Sequence, residues 1–263
     1  MPRLSRTRHI KMKMMQPENN FGILSSDYKA GRRGYPSEVY DYIKFLTNKK
    51  PAIMLDLGCG TGISTRELKE HGFVVTGADK DYAMLAAARE ENDDISYVQA
   101  SAESLPFPDE HFDMVTAFTA FHWFNALEPL TEIKRIIKTG GLFFAALKGN
   151  QDTSESREFN KGYQAILKKY AGEKFDSTYK HFDKKNIEEL FENITEKSFP
   201  VDEKYTIEDA LTLLRSLSLW NLVPEEEKNN LLDEMRTFYI AHLVDGFVIR
   251  KREIFTIAAW KGK

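Results

Sequence analysis

Apolar positions along the chain fall into short runs separated by stretches of helical spacing. Ile53 to Leu57, Phe73 to Ala78, Ser96 to Gln99, Phe112 to Phe118 and Gly141 to Leu147 read as strands. Between and before them, Ser37 to Leu46, a segment from Ser64 or Thr65 to Gly72, Tyr82 to Glu90, and Ala126 to Lys138 read as helices. Asp81 offers a side-chain oxygen to cap the Tyr82 helix, and Gly72 suits the left-handed position that ends the helix before it. Strand and helix alternating in this rhythm predict a parallel sheet covered on both faces, and such sheets bind ligands at the carboxyl ends of their strands.

The texture changes after residue 148. Residues 149–193 are polar and helical, with Asp183 as a cap and Ile187, Leu190 and Phe191 as an apolar face. Glu196 to Lys204 reads as a strand, Thr206 and Asp209 as a capping box, Pro224 as a helix start, and Asn229 to Val244 as a long apolar stripe closed by Gly246. Ile254 to Trp260 reads as the last strand. At the other end, Arg3, Arg6, Arg8, Lys11 and Lys13 stand in a segment with no acid and no apolar stretch of the kind a secretory signal needs. Residues 1–20 therefore read as a disordered basic tail, and 21–50 as an N-terminal helical cap.

Chemistry concentrates where the first strand ends. Leu55-Asp56-Leu57-Gly58-Cys59-Gly60-Thr61-Gly62 runs a strand into a loop with glycine at every second position, where backbone can turn sharply and lie against a ligand. A dinucleotide fingerprint needs glycine where Ile63 stands, and a phosphate loop needs Gly-Lys-Ser/Thr, which is missing. Asp56 would repel a pyrophosphate cradled there and suits a cationic group instead. Asp79, about 20 residues after Gly58, ends the second strand where a βαβ unit brings an acidic side chain to a ribose. A ligand with an ammonium group at the loop and a nucleoside beyond it fits, and S-adenosylmethionine has both.

These two motifs resemble the first two of the class I S-adenosylmethionine-dependent methyltransferases. Ala102-Glu103-Ser104-Leu105-Pro106-Phe107-Pro108-Asp109 with Phe112 to Val115, then Phe121-His122-Trp123-Phe124 and Lys138-Thr139-Gly140-Gly141-Leu142, are similar to later segments of its small-molecule branch, which includes trans-aconitate and ubiquinone-biosynthesis methyltransferases. The resemblance covers residues 28–148. It implies an α/β fold: a doubly wound, seven-stranded, Rossmann-like sheet with its last strand antiparallel and with helical lid insertions. The cofactor core would span 51–148, completed by strands near 194–205 and 253–263, with lid segments at 149–193 and 206–252 on the substrate side.

For the cofactor, S-adenosylmethionine, the implied contacts are Asp56, Gly58, Cys59, Gly60, Gly62, Asp79, Lys80, Ser101, Ala102 and Phe118, closed over by Tyr28 and Arg32. Ser101 stands where relatives often place an aspartate against the adenine, and Arg33 and Thr139 stand where proline is usual. His122 is the candidate general base, and Trp123 and Arg215 are candidate substrate contacts. Arg215, in an Arg-Ser-x-Ser pattern like that of the trans-aconitate group, points to an acidic metabolite as methyl acceptor.

Composition narrows the alternatives. With 37 Lys plus Arg against 40 Asp plus Glu, the net charge of −3 gives no attraction to nucleic acid. One cysteine can form no intrachain disulfide, which fits a cytoplasmic protein. The six histidines lack ligand spacing, so no metal is expected. No apolar run is long enough to span a bilayer. The expected partner is a small-molecule substrate. A catalytically silent S-adenosylmethionine-binding protein and a nicotinamide-dependent oxidoreductase are the competing readings, the second opposed by Ile63 and Asp56.

Overall fold

Each strand of the central sheet divides its residues between two buried layers. In the computed structural model, which describes residues 31–48, 52–91, 94–172 and 184–262, the chain runs α1 (Ser37–Leu46), β1 (Ile53–Leu57), α2 (Ile63–Glu70), β2 (Val74–Asp79), α3 (Tyr82–Arg89), β3 (Ser96–Gln99) and β4 (Phe112–Phe118). It continues through α4 (Leu127–Ile136), β5 (Ile137–Asn150), α5 (Ser154–Ala171), α6 (Lys185–Leu190) and β6 (Glu192–Tyr205). The last elements are α7 (Ile207–Arg215), α8 (Lys228–Ala241), β7 (Leu243–Val244) and β8 (Phe247–Trp260). The basic tail, Tyr28 and Asp183 lie outside the described residues.

The sheet order is β3-β2-β1-β4-β5-β8-β6, with β7 pairing β8. β1 to β5 pair in parallel, while β8 inserts antiparallel between β5 and β6. Leu55, Val115, Phe143 and Ile257 face a layer that includes Ile133 of α4 and Ile187 of α6, whereas Met54, Met114, Phe144 and Ile254 face Val39 and Ile43 of α1. Both faces are covered, which is why these strands read as nearly continuous apolar runs. Each fully buried side chain of this kind contributes about 1.5–3 kcal/mol.

Two differences from the sequence expectations have local causes. Ile137 leaves helical geometry (ψ 136°) to pair with Phe112, so α4 stops early and β5 starts before the glycine pair. The stripe expected to run to Val244 breaks at Ala241, because Asp245 and Gly246, both at positive φ, form a two-residue hairpin turn joining β7 to β8. That hairpin gives the sheet an eighth strand. Helices α5, α7 and α8 form their own cluster around Leu167, Leu211, Leu214, Leu231 and Met235, closed on the sheet by Tyr205 and Val248. Among the described residues no helix is long and apolar enough to cross a membrane.

Candidate functional site

The glycine loop turns immediately after β1 and is tied to the end of β2. The Gly58 and Cys59 amides both donate to the Ala78 carbonyl, at 2.7 and 3.0 Å, and Gly62 N–H donates back to Cys59 O at 2.9 Å. All three glycines are left-handed, with φ of 72°, 54° and 78°. A Cβ on Gly58 would lie 2.5 Å from the Ala120 methyl, so that glycine is fixed by packing against the turn after β4. At Gly60 the nearest atom to such a Cβ is the Met84 methyl at 4.0 Å, which leaves the loop backbone open to a ligand there. Next to it, the buried Thr61 hydroxyl has no hydrogen-bond partner among the described residues. An open backbone cradle and a hydroxyl awaiting a partner fit a nucleoside cofactor with polar groups.

Asp79 ends β2 at the same place. One carboxylate oxygen accepts from Gly60 N–H at 2.8 Å and the other from Asp81 N–H at 2.9 Å. Burial raises its pKa, opposed by those two amides. The carboxylate is thus held rigid with lone pairs to spare. Asp81 caps α3 as expected, accepting from Ala83 and Met84 N–H.

Asp56 is in a different place from the one its sequence position suggested. It is fully buried on the Met54 face of the sheet, beneath the first turn of α2. Its oxygens accept from Ser64 at 2.8 Å, Thr65 at 2.7 Å and Thr116 at 3.1 Å. Burial pushes its pKa up to about 6 against the pull of these hydroxyls. Asp56 therefore anchors the helix start to the strand and shapes the loop from below, and it does not line the crevice. Hydroxyls eight, nine and sixty residues away decide this, and no local pattern announces them.

The remaining predicted residues separate into two groups. Lys80 and Ser101 are exposed beside Asp79, with the Ser101 hydroxyl bonded to the Glu103 carboxylate. Cys59 and Ala102 are buried, and burial raises the Cys59 thiol pKa. Phe118 packs among the Tyr35, Tyr40 and Phe144 rings. His122 and Trp123 occupy a single 3-10 turn, Phe121–Trp123, with their rings 4.8 Å apart. Burial lowers the His122 pKa to about 4. Arg32 donates to the Ser216 hydroxyl (3.2 Å) and carbonyl (3.4 Å), joining the segment before α1 to the end of α7. Arg215 bonds Thr212 within its own helix at 2.9 Å.

A charged cluster that the sequence reading missed lies where the Phe144 face of the sheet runs out under α5 and α8. Lys148 donates to Glu203 and to the Arg33 and Gly34 carbonyls, each at 2.7 Å. Glu203 also accepts from Tyr205 at 3.0 Å and lies 3.9 Å from Arg252 Nε. Arg250 is buried with its guanidinium 4.5 Å from the Tyr163 ring centre. Burial, with Arg250 nearby, pushes Arg252 down to about 10, and its Nε has no hydrogen-bond partner among the described residues. The available signal was Arg250 and Arg252 on alternate positions of a strand, which puts both on one face. No group of three or more metal-ligating side chains occurs among the described residues.

Residues 55–145 match the family described as a methyltransferase domain. A Dictyostelium discoideum protein that bears the name putative methyltransferase is 25% identical over 83% of this chain and 84% of its own length. A malonyl-[acyl-carrier protein] O-methyltransferase from Buchnera aphidicola is 32% identical over 46% of this chain and 49% of its own. Among solved structures, phosphoethanolamine N-methyltransferase 2 of Haemonchus contortus, in complex with S-adenosyl-L-methionine, shares the fold with a TM-score of 0.52 and 19% identity, covering 92% of this chain and 57% of that one. The open glycine cradle, the held carboxylate at the end of β2 and the family match agree, and residues 55–145 are a methyltransferase domain of the S-adenosylmethionine-dependent kind.

Proposed function

We propose that this methyltransferase acts on a small acidic acceptor, bound between the carboxyl ends of β4 and β5 and the cluster of α5, α7 and α8. The observation that carries the reading is an imbalance of buried charge. Among the described residues, Lys148 and Arg252 flank a single buried carboxylate, Glu203, and a third cation, the buried Arg250, stands opposite Glu203 in the strand register. Burying cations without matching anions is costly, and an acidic ligand beside Lys148 and Arg252 offsets that cost. The sequence reading put this task on Arg215; the cluster supplies a stronger basis, and Arg32 stands near Lys148 on the same side.

In this reading Gly58, Cys59, Gly60 and Gly62 carry the cofactor on their backbone, and Asp79 accepts from the ribose hydroxyls. Lys80, Ser101 and Ala102 follow the nucleoside outward, and Phe118 supports the floor at the end of β4. The bound cofactor supplies a methyl group on a cationic sulfur, already activated for attack. The protein's part is to hold donor and acceptor in line and exclude water. His122, neutral above about pH 5, accepts hydrogen bonds but is a weak proton sink. An acceptor that arrives ionised asks for no stronger base.

The test is calorimetry with S-adenosylhomocysteine, followed by transfer of labelled methyl from the cofactor to panels of small carboxylic acids and small amines. Transfer favouring the acids supports the reading. A preference for amines sinks the acidic acceptor while leaving the enzyme class intact.

A further inference from the structure

Six described residues other than glycine have positive φ: Asn48, Asp94, Glu110, Thr119, Asn193 and Asp245. Thr119 is the β-branched one, at φ 51°, and it follows directly on the last residue of β4. A branched side chain resists this conformation and glycine adopts it freely, so the surroundings must hold Thr119 there. Its amide donates to Ala146 O at 2.7 Å, and its hydroxyl is hydrogen-bonded to the Tyr35 hydroxyl.

Tyr35 is itself held on several sides. Its ring meets Phe118 edge-on at 4.8 Å, and Lys148 Nζ lies 5.0 Å from the ring centre. Its amide donates to Glu67 at 3.1 Å, and Glu67 also accepts from the Tyr40 hydroxyl. Gly34 packs so close to Glu67 that a Cβ there would come within 1.5 Å of a carboxylate oxygen. On the other side, the residue after Thr119 is Ala120, whose methyl abuts Gly58. The two hydroxyls therefore sit between the glycine loop and the Lys148 end of the cationic cluster.

We propose that Thr119 and Tyr35 form the acceptor-positioning pair, their hydroxyls hydrogen-bonding the polar group of the methyl acceptor beside the glycine loop. The assignment rests on the methyl-transfer reading above. A hydroxyl both donates and accepts, so the pair serves an ionised or a neutral acceptor, and the rigid Tyr35 ring fixes where that group is held. Backbone strain kept at the mouth of a crevice, with its side chain bonded across to a clamped partner, is what a positioning site requires.

The experiment uses the full chain with Thr119→Gly, Thr119→Ser and Tyr35→Phe. It measures thermal stability, S-adenosylhomocysteine affinity by calorimetry, and transfer of labelled methyl to the acidic fraction of a metabolite extract. The expected pattern is unchanged affinity in all three, with Thr119→Gly melting no lower than the wild type because strain is released. Transfer falls by about tenfold or more in Thr119→Gly and Tyr35→Phe and is largely kept in Thr119→Ser, as loss of one substrate hydrogen bond predicts. A structural role alone would not combine full stability with lost transfer. Wild-type transfer by Thr119→Gly, or lost S-adenosylhomocysteine binding in either variant, overturns the assignment. If Tyr35→Phe fails to fold, the Gly and Ser variants at 119 decide the matter. A wild-type protein that binds S-adenosylhomocysteine but labels nothing overturns the methyl-transfer reading, and this proposal with it.

Discussion

Two buried polar clusters in this molecule solve opposite problems. Beneath the glycine loop, Asp56 is a buried carboxylate ringed by three neutral hydroxyls, two from the first turn of α2 and one from β4. Under α5 and α8, charges meet charges, and cations outnumber acids among the described residues. The first cluster is closed and complete, which suits a part whose task is to hold a loop in one shape. The second carries a surplus, which suits a part that receives something from outside. Satisfaction of hydrogen bonds, more than burial itself, separates scaffold from site here.

The largest expected effect tests the surplus directly. Glu203→Gln removes the acid paired with Lys148 and Arg252, and breaking a buried pair in this way costs about 3–5 kcal/mol. Lys148→Met removes a cation from a set already in excess, and Arg252 remains beside Glu203. Its cost should therefore be clearly smaller, closer to the roughly 1–3 kcal/mol of lost charged hydrogen bonds. Urea melts of the two variants check the asymmetry. Equal losses would mean that the cluster is balanced as it stands and needs no ligand.

The closed cluster comes next. Asp56→Ala strands the Ser64, Thr65 and Thr116 hydroxyls together and is expected to cost about 3 kcal/mol. Asp56→Asn keeps an oxygen for them and can reorient Thr116, so at pH 7 its loss should be far smaller. The pH dependence comes from the raised pKa. Between the unfolded value of 3.8 and the folded value of about 6, the folded state binds the proton more tightly, so this group's contribution to stability falls as pH rises through that window. The penalty above pH 6 is on the order of 3 kcal/mol. The Asn variant should lose that slope. Thermal melts from pH 4 to 7 that show the same slope in wild type and Asp56→Asn would assign it elsewhere.

The same contrast decides what could be read from the sequence. β3 and β4, α1, the Asp81 cap and the Thr206 cap on α7, which accepts from Asp209 N–H, all depend on local spacing and were legible. So was the glycine loop beside Asp79, because a βαβ unit fixes that distance along the chain. Asp56 was misplaced because its partners come from α2 and β4, and a carboxylate before glycines looks the same whether it faces a ligand or a helix. The cationic cluster was invisible for a similar reason. Arg250 and Arg252 resemble exposed charges until α5 and α8 pack over the strand, with Tyr163 and Tyr239 against Arg250. The Asp245-Gly246 pair carries a hairpin-turn signal, but the apolar stripe of α8 continues in sequence through Leu243 and Val244 and masks it.

His122 gives the smallest effect and joins the two clusters through pH. Its pKa is depressed by burial from 6.5 to about 4, so across that interval the unfolded chain binds more protons than the folded one. Its contribution to stability therefore rises with pH from 4 to 6.5, opposite in sign to that of Asp56. The two partly cancel in the wild type, leaving a shallow net profile. His122→Gln should uncover the Asp56 slope, so that the variant gains stability relative to wild type as pH falls from 6.5 toward 4. The same variant should keep a flat rate profile from about pH 6 to 8, because His122 does not titrate there. A wild-type rate that climbs through about pH 6 to 7 and flattens in His122→Gln would show the histidine working as a base with a near-ordinary pKa, and would move the reacting proton from the acceptor's own ionisation to the protein.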